Sequence, residues 1–112
     1  MKLITAVVQP DKLDDVMRTV TDIGVGGLTV TEVRGFGQQL GHRGTVRPAE
    51  WQALVLPKLR IDAVVTDEAA DSVADAIAKS VNTGAIGDGK IWICPVESVL
   101  RVRTGERDRA AV

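Results

Sequence analysis

The stretch Gly84-Ala85-Ile86-Gly87-Asp88-Gly89-Lys90 carries the densest chemistry in the chain. Closely spaced glycines let backbone N–H groups turn toward one anion, and Lys90 adds a point charge beside them. A phosphate-loop ATPase motif would need Ser or Thr after the lysine to hold magnesium, and a helix to follow. Here Ile91-Trp92-Ile93 follows and reads as a strand, so that chemistry is rejected. The residues alone leave two readings open: an anion cradle, or a tight loop in which glycine serves the φ angles and Asp88 caps locally. Further on, Arg101 and Arg103 stand at i and i+2. In an extended segment both guanidinium groups would project to one face and suit phosphate oxygens. A charged edge that discourages sheet pairing is the competing reading. Gly35-Phe36-Gly37 either lets backbone approach a ligand or simply closes a strand.

Other reactive side chains offer less. His42 stands without a nearby Cys or paired acid, which supports neither a metal site nor a catalytic dyad. Cys94 falls in a strand-like stretch and reads as a small core hydrophobe, and Met17 likewise as core. Trp51 is a large apolar residue in a polar segment, either folded back on the body or serving as a partner anchor. No two carboxylates stand at a spacing that suggests acid–base work, so no catalytic residue is assigned.

These residues need elements to position them. Leu3 to Val8 is a short β-branched apolar run ending before Pro10, as a buried strand would. Asp11 can cap a helix whose apolar stripe is Leu13, Val16, Met17 and Val20, with Asp14 and Asp15 in the first turn and Gly24 as its stop. Leu28 to Val33 reads as a second strand, Ile61 to Val65 as a third and Lys90 to Ile93 as the last, stopped by Pro95. Between the second and third lies a segment of roughly 20 residues without sustained periodicity, and loops of that length are commonly functional. The second half repeats the first. Sliding Ile4 onto Ile61 also pairs Ala6 with Ala63, Val8 with Val65, Asp14 with Asp71, Val20 with Ile77 and Gly27 with Gly84. Two βαβ units in one short chain predict an α+β, ferredoxin-like βαββαβ fold, an antiparallel sheet with both helices on one face. Two helices cannot cover both faces, and the predicted strands hold few polar residues, so burial against other subunits is expected.

Composition sets the outer limits. At 112 residues the chain is expected to be one domain over residues 1–112. With 45% hydrophobic and 26% charged residues it should fold, and 14 basic against 15 acidic residues give no field to collect nucleic acid. One cysteine allows no intrachain disulfide, no leader pattern opens the chain, and no apolar stretch approaches the ~20 residues of a membrane span. A cytoplasmic location without direct membrane insertion is expected.

The run Thr83-Gly84-Ala85-Ile86-Gly87-Asp88-Gly89-Lys90-Ile91-Trp92, followed by Arg101-Val102-Arg103-Thr104-Gly105-Glu106, resembles the C-terminal signature of the PII nitrogen-regulatory signalling proteins. Met1 to Ala6, Lys12 to Val16 and Leu28 to Gly37 resemble the same family, so the likeness spans nearly the whole chain and departs in the long segment. The resemblance implies a homotrimer of ferredoxin-like subunits that binds ATP or ADP in clefts between them. It also implies 2-oxoglutarate sensing beside MgATP, and a partner-binding T-loop at about residues 37–55. Carried over position by position, it puts Thr29 and Val64 at the adenine, Gly35, Phe36 and Gly37 near the nucleotide, and Gly87, Gly89, Lys90, Arg101 and Arg103 at the phosphates. Asp88 and Gln38 are counted in the same nucleotide site, Gln38 standing where the family usually has Arg.

By the same resemblance Gln39 would help hold magnesium and 2-oxoglutarate, with Gly41 beside it and Lys58 meeting a ligand carboxylate. Gln9 and Leu40 replace family lysines there, so 2-oxoglutarate binding is expected to be weak or lost. Within the long segment, Val46 to Trp51 matches the family's Tyr-Arg-Gly-Ala-Glu-Tyr at Arg47, Ala49 and Glu50. Both tyrosines are missing, which removes the phenol hydroxyl that family members commonly nucleotidylate. Arg47 and Trp51 are the candidate partner contacts, the partner being an ammonium-transport channel or a metabolic enzyme. The leading reading is therefore a ligand-controlled regulator in nitrogen and carbon metabolism and not an enzyme. Two alternatives stand beside it: a slow ATP or phosphoester hydrolase, against which the lack of a base argues, and a small-ligand module of the same fold.

Overall fold

The computed structural model describes residues 1–37 and 55–112. Among the described residues, the strands and α-helices run in the order β1 (Lys2–Val8), α1 (Leu13–Asp22), β2 (Thr29–Gly35), β3 (Leu56–Val65), α2 (Asp67–Val81) and β4 (Gly89–Pro95). The four strands form one sheet in the order β2-β3-β1-β4, and every neighbouring pair is antiparallel. This is the ferredoxin-like α+β arrangement. The internal repeat is visible in the register: Thr5 and Asp62, equivalent positions of the two halves, pair with each other at the centre, while Ile4 faces Ala63 and Ala6 faces Ile61. The two halves are related about that central pair.

Strand alternation builds the core. Ile4, Ala6 and Val8 of β1 and Leu59, Ile61 and Val65 of β3 turn one way and pack on Val16 and Val20 of α1 and Ala70, Val73, Ile77 and Val81 of α2. Burial of such side chains contributes roughly 25 cal/mol per Å² of apolar surface removed from water. Thr66 caps α2, its hydroxyl accepting the Ala69 N–H at 3.3 Å. The end of α1 is closed by a Schellman motif. Gly24 takes a φ of +82°, its N–H donates to the Thr21 carbonyl at 3.2 Å, and the Val25 N–H donates to the Val20 carbonyl at 3.0 Å.

Several boundaries differ from the sequence reading. Asp11 does not cap α1; it lies inside a 3-10 turn, Pro10–Lys12, that runs directly into the helix. The fixed φ of Pro10 starts helical geometry one turn early and leaves no room for a side-chain cap. Met17 is 40% exposed, because Val16 and Val20 fill the buried stripe and Met17 stands on its flank. β3 begins at Leu56 and not at Ile61. Pro57 is tolerated because β1 pairs β3 only over Leu59 to Val65, so at Pro57 the strand has β2 on one side alone. β4 likewise runs on through Pro95, which ends an edge strand opposite Lys2.

The longer β3 adds charge to the open face of the sheet, which also carries the apolar Leu3, Val7, Val33, Val64 and Trp92. Lys58 and Arg60, both outside the predicted strand, stand on that face with Asp62, Thr5, Thr29, Thr31 and Lys90. Thr5 is fully buried there, and its hydroxyl donates to Asp62 Oδ1 at 2.6 Å. Arg60 Nε donates to the other carboxylate oxygen at 3.0 Å. Burial pushes the Asp62 carboxyl up, but the bonds from Thr5 and Arg60 and the guanidinium charge outweigh it and hold the group below its ordinary value. Among the described residues no helix is long and apolar enough to cross a membrane.

Candidate functional site

The glycine loop between α2 and β4 is shaped from within. The Asp88 carboxylate turns back on the loop and accepts the N–H groups of Thr83 at 2.8 Å and Gly84 at 2.9 Å, together with the Thr83 hydroxyl. Those bonds, the hydroxyl first and the Thr83 N–H next, hold its carboxyl below the ordinary value. Of the two sequence readings for Asp88, local capping is therefore the one its geometry matches. Gly84, Gly87 and Gly89 all take positive φ, at 80°, 102° and 114°. Lys58 Nζ reaches across from β3 and donates to the Gly87 carbonyl at 3.2 Å.

The loop forms one wall of a cavity of about 710 Å³. Gly35, Phe36 and Gly37 face it from the end of β2, Lys58 from β3, and Gly87, Gly89, Lys90 and Trp92 from the loop and β4. Two lysines and two aromatic rings thus surround a concave space, which suits an anion carrying a larger apolar or π-bearing body. Trp92 had no place in the sequence reading of the site. Its spacing was the signal, since it stands two residues from Lys90 on one strand and so shares its face.

A second cavity, of about 410 Å³, lies at the other end of the same sheet face. Thr29, Asp62, Val64 and Arg101 line it, together with Leu3 and the glycine-rich turn before β2. Asp62 is the further residue here that the sequence did not single out, although strand alternation places it on the face of Val64. The structure thus brings Thr29, Val64 and Arg101 together in one cavity, and Gly35, Phe36, Gly37, Lys58, Gly87, Gly89 and Lys90 in another. Gly87, Gly89 and Lys90 on the one hand and Arg101 and Arg103 on the other, all placed at the phosphates by the family resemblance, are apart within one chain, as a cleft between subunits would have them.

The reason lies in the tail. Arg101 and Arg103 do not sit in an extended segment: Leu100 bridges Arg107, and residues 102–104 are a turn. The Gly105 N–H donates to the Arg101 carbonyl at 2.8 Å and the Arg101 N–H to the Glu106 carbonyl at 2.9 Å, with Gly105 at a φ of +72°. Arg101 pairs with Glu106 at 3.1 Å, and Arg103 stands exposed on the turn. Cys94 is also exposed, on an edge strand and not in the core. Gln38, Gln39, Leu40, Gly41, His42, Arg47 and Trp51 lie outside the described residues. Among the described residues no cluster of His, Cys, Asp or Glu could hold a metal ion.

The family model for nitrogen regulatory protein P-II matches residues 1–106. Over its full length the chain is 48% identical to nitrogen regulatory protein GlnK of Escherichia coli K12, with all 112 residues of both chains aligned. It is 50% identical over the same full span to nitrogen regulatory protein P-II of Pasteurella multocida Pm70, and 49% to that of Klebsiella oxytoca.

Proposed function

The chain belongs to the nitrogen regulatory protein P-II family, a family of regulatory proteins and not of enzymes, and on that footing we propose that it is an adenine-nucleotide sensor assembled as a homotrimer. The observation that carries this reading is the separation of the two cavities. Thr29 and Gly35 mark opposite ends of β2, about 20 Å apart at the ordinary rise of a strand. The base-binding candidates Thr29 and Val64 thus lie far from the phosphate-binding candidates Gly87, Gly89 and Lys90 on the same chain. A head-to-tail cyclic assembly would bring one chain's Arg101 and Arg103 toward the glycine loop of the next and close a complete site at each junction.

The described residues fit a nucleotide. Glycines in left-handed conformation, Lys90 at the cavity wall and the Arg101 cavity with its Asp62 carboxylate offer cations for phosphates and an acceptor for an amino group. When bound with ATP, magnesium would neutralise phosphate charge, with Gln39 as the candidate residue to help hold it. The long segment at about residues 37–55 starts at the wall of the larger cavity, at Gly37. A ligand there would alter the base of that segment and so its fit to a target protein, an ammonium-transport channel or a metabolic enzyme, through Arg47 and Trp51. With no tyrosine in the chain, control runs through ligands and not through tyrosine nucleotidylation. Titration calorimetry tests the core of this reading. ATP and ADP are expected to bind the wild type, and the Arg101→Ala, Arg103→Ala double variant to bind at least tenfold more weakly, as loss of charge-assisted bonds of about 1.5–3 kcal/mol requires. Equal affinities would remove the arginines from the site.

A further inference from the structure

The C-terminal segment contributes a wall to the smaller cavity, where Ala111 and Val112 stand beside Thr29, Val64 and Arg101. It reaches that place through a short series of contacts. The Asp108 N–H donates to the Val99 carbonyl at 2.8 Å, and the Asp108 carboxylate accepts the Val99 N–H at 3.2 Å. Asp108 has a φ of +57°, left-handed backbone that Asp adopts more readily than most residues, and it turns the chain into a 3-10 turn, Asp108–Ala111. From that turn Arg109 Nη1 donates to both carboxylate oxygens of Glu68, at 3.1 and 3.2 Å, in the first turn of α2. The Glu68 carboxyl is held below its ordinary value by the backbone N–H at the helix start and then by Arg109, so it is charged at neutral pH.

Resting on the reading that the smaller cavity takes the base end of an adenine nucleotide, we propose that the Glu68–Arg109 pair is a clasp that positions Ala111 and Val112 as a cavity wall and thereby sets how fast the ligand leaves. Neither member lines the cavity, so both are positioning residues. Arg109 lies only two residues from the wall it holds, and Glu68 is fixed on a helix packed into the core. Exposed ion pairs are weak in general, and one that ties a terminal segment to a rigid helix acts on the rate of opening.

The test compares Glu68→Arg, Arg109→Glu and the double reversal in the full chain. Stopped-flow displacement of a bound fluorescent ADP analogue reads ligand release, and hydrogen exchange at the Asp108 and Val112 amides of the ligand-free protein reads the position of the wall. Each single reversal is expected to speed release roughly two- to fivefold, the size of an exposed pair, and to raise exchange at both amides. The double reversal restores the pair with its signs exchanged and should return both readings toward wild type. Unchanged exchange in the single variants overturns the clasp, as does a double reversal no better than the singles. Faster exchange with unaltered release overturns its control of the ligand. A wild-type chain that binds no nucleotide refutes the reading of the cavity instead, and the exchange measurements then decide the positioning on their own.

Discussion

At Gly89 an added Cβ would meet the Val7 carbonyl oxygen at 2.0 Å, and the residue also stands at a φ of +114°. Backbone cannot yield there as a flexible side chain would, because β1 and β4 are hydrogen-bonded partners at that point. Gly89→Ala is therefore expected to destabilise the protein by about 3 kcal/mol, combining left-handed strain with the overlap. Denaturant unfolding checks this, and a wild-type midpoint would mean that the loop shifts freely. Lys58 raises a different question at the same scale. Its bond to the Gly87 carbonyl places an ammonium on the glycine loop, where one carboxylate of a dicarboxylate ligand would meet it. We propose, from the family resemblance alone, that Gln9 and Leu40 in place of lysines would leave the second charge poorly matched, and an underpaired buried charge costs several kcal/mol. Titrating 2-oxoglutarate in the presence of MgATP should accordingly show weak binding or none; micromolar affinity would mean that Lys58, Gln39 and the metal suffice.

The glycine loop behaves as one element because Asp88 gathers its start. With the folded-state pKa held below the ordinary 3.8, the contribution of this carboxylate is fully present above the ordinary value. It is lost as pH falls through the lowered value, when protonation removes an acceptor for the Thr83 and Gly84 N–H groups. In an acid titration the amide resonances of Thr83 and Gly84 are therefore expected to move with a midpoint below 3.8, and the shift should vanish in Asp88→Asn. A midpoint at the ordinary value would mean that the carboxylate points to solvent. The C-terminal hairpin shows why elements of this size were harder to read. Arg101, Val102 and Arg103 alternate as a strand would, but Thr104-Gly105 supplied the turn signal, and Gly105 in left-handed geometry folds the alternation back on itself.

Over the whole molecule, the open sheet face carries a Thr5–Asp62–Arg60 network, buried at Thr5 and exposed at Arg60, beside the apolar Leu3, Val7, Val64 and Trp92. Association of copies would therefore have to match these polar groups as well as cover the apolar ones. Light scattering at micromolar concentration is expected to return three times the 11.9 kDa chain mass. The Arg101→Ala, Arg103→Ala variant should keep that mass, since its defect lies in ligand contacts. A monomeric wild type would remove any site built at a junction between copies, and with it the proposed nucleotide cleft.

The order of elements, the repeat and the helix-facing core follow from sequence, because they depend on short-range periodicity. Ile4, Ala6 and Val8 alternate, Val16 and Val20 recur at helical spacing, and the second half echoes the first, whatever the rest of the chain does. The Lys90 glycine loop was legible for the same reason, its chemistry being contiguous. Only the tertiary structure decided which distant residues share a cavity. Asp62 joins Thr29 and Arg101, and Trp92 joins Phe36 and Lys58, through strand register between segments far apart in sequence. Register is set by pairing energies summed along whole strands, so five extra residues of β3 bring two cations, Lys58 and Arg60, onto the open sheet face. The separation of Arg101 and Arg103 from the Lys90 loop of the same chain follows from where the strands end and from the turn that Gly105 makes in the tail.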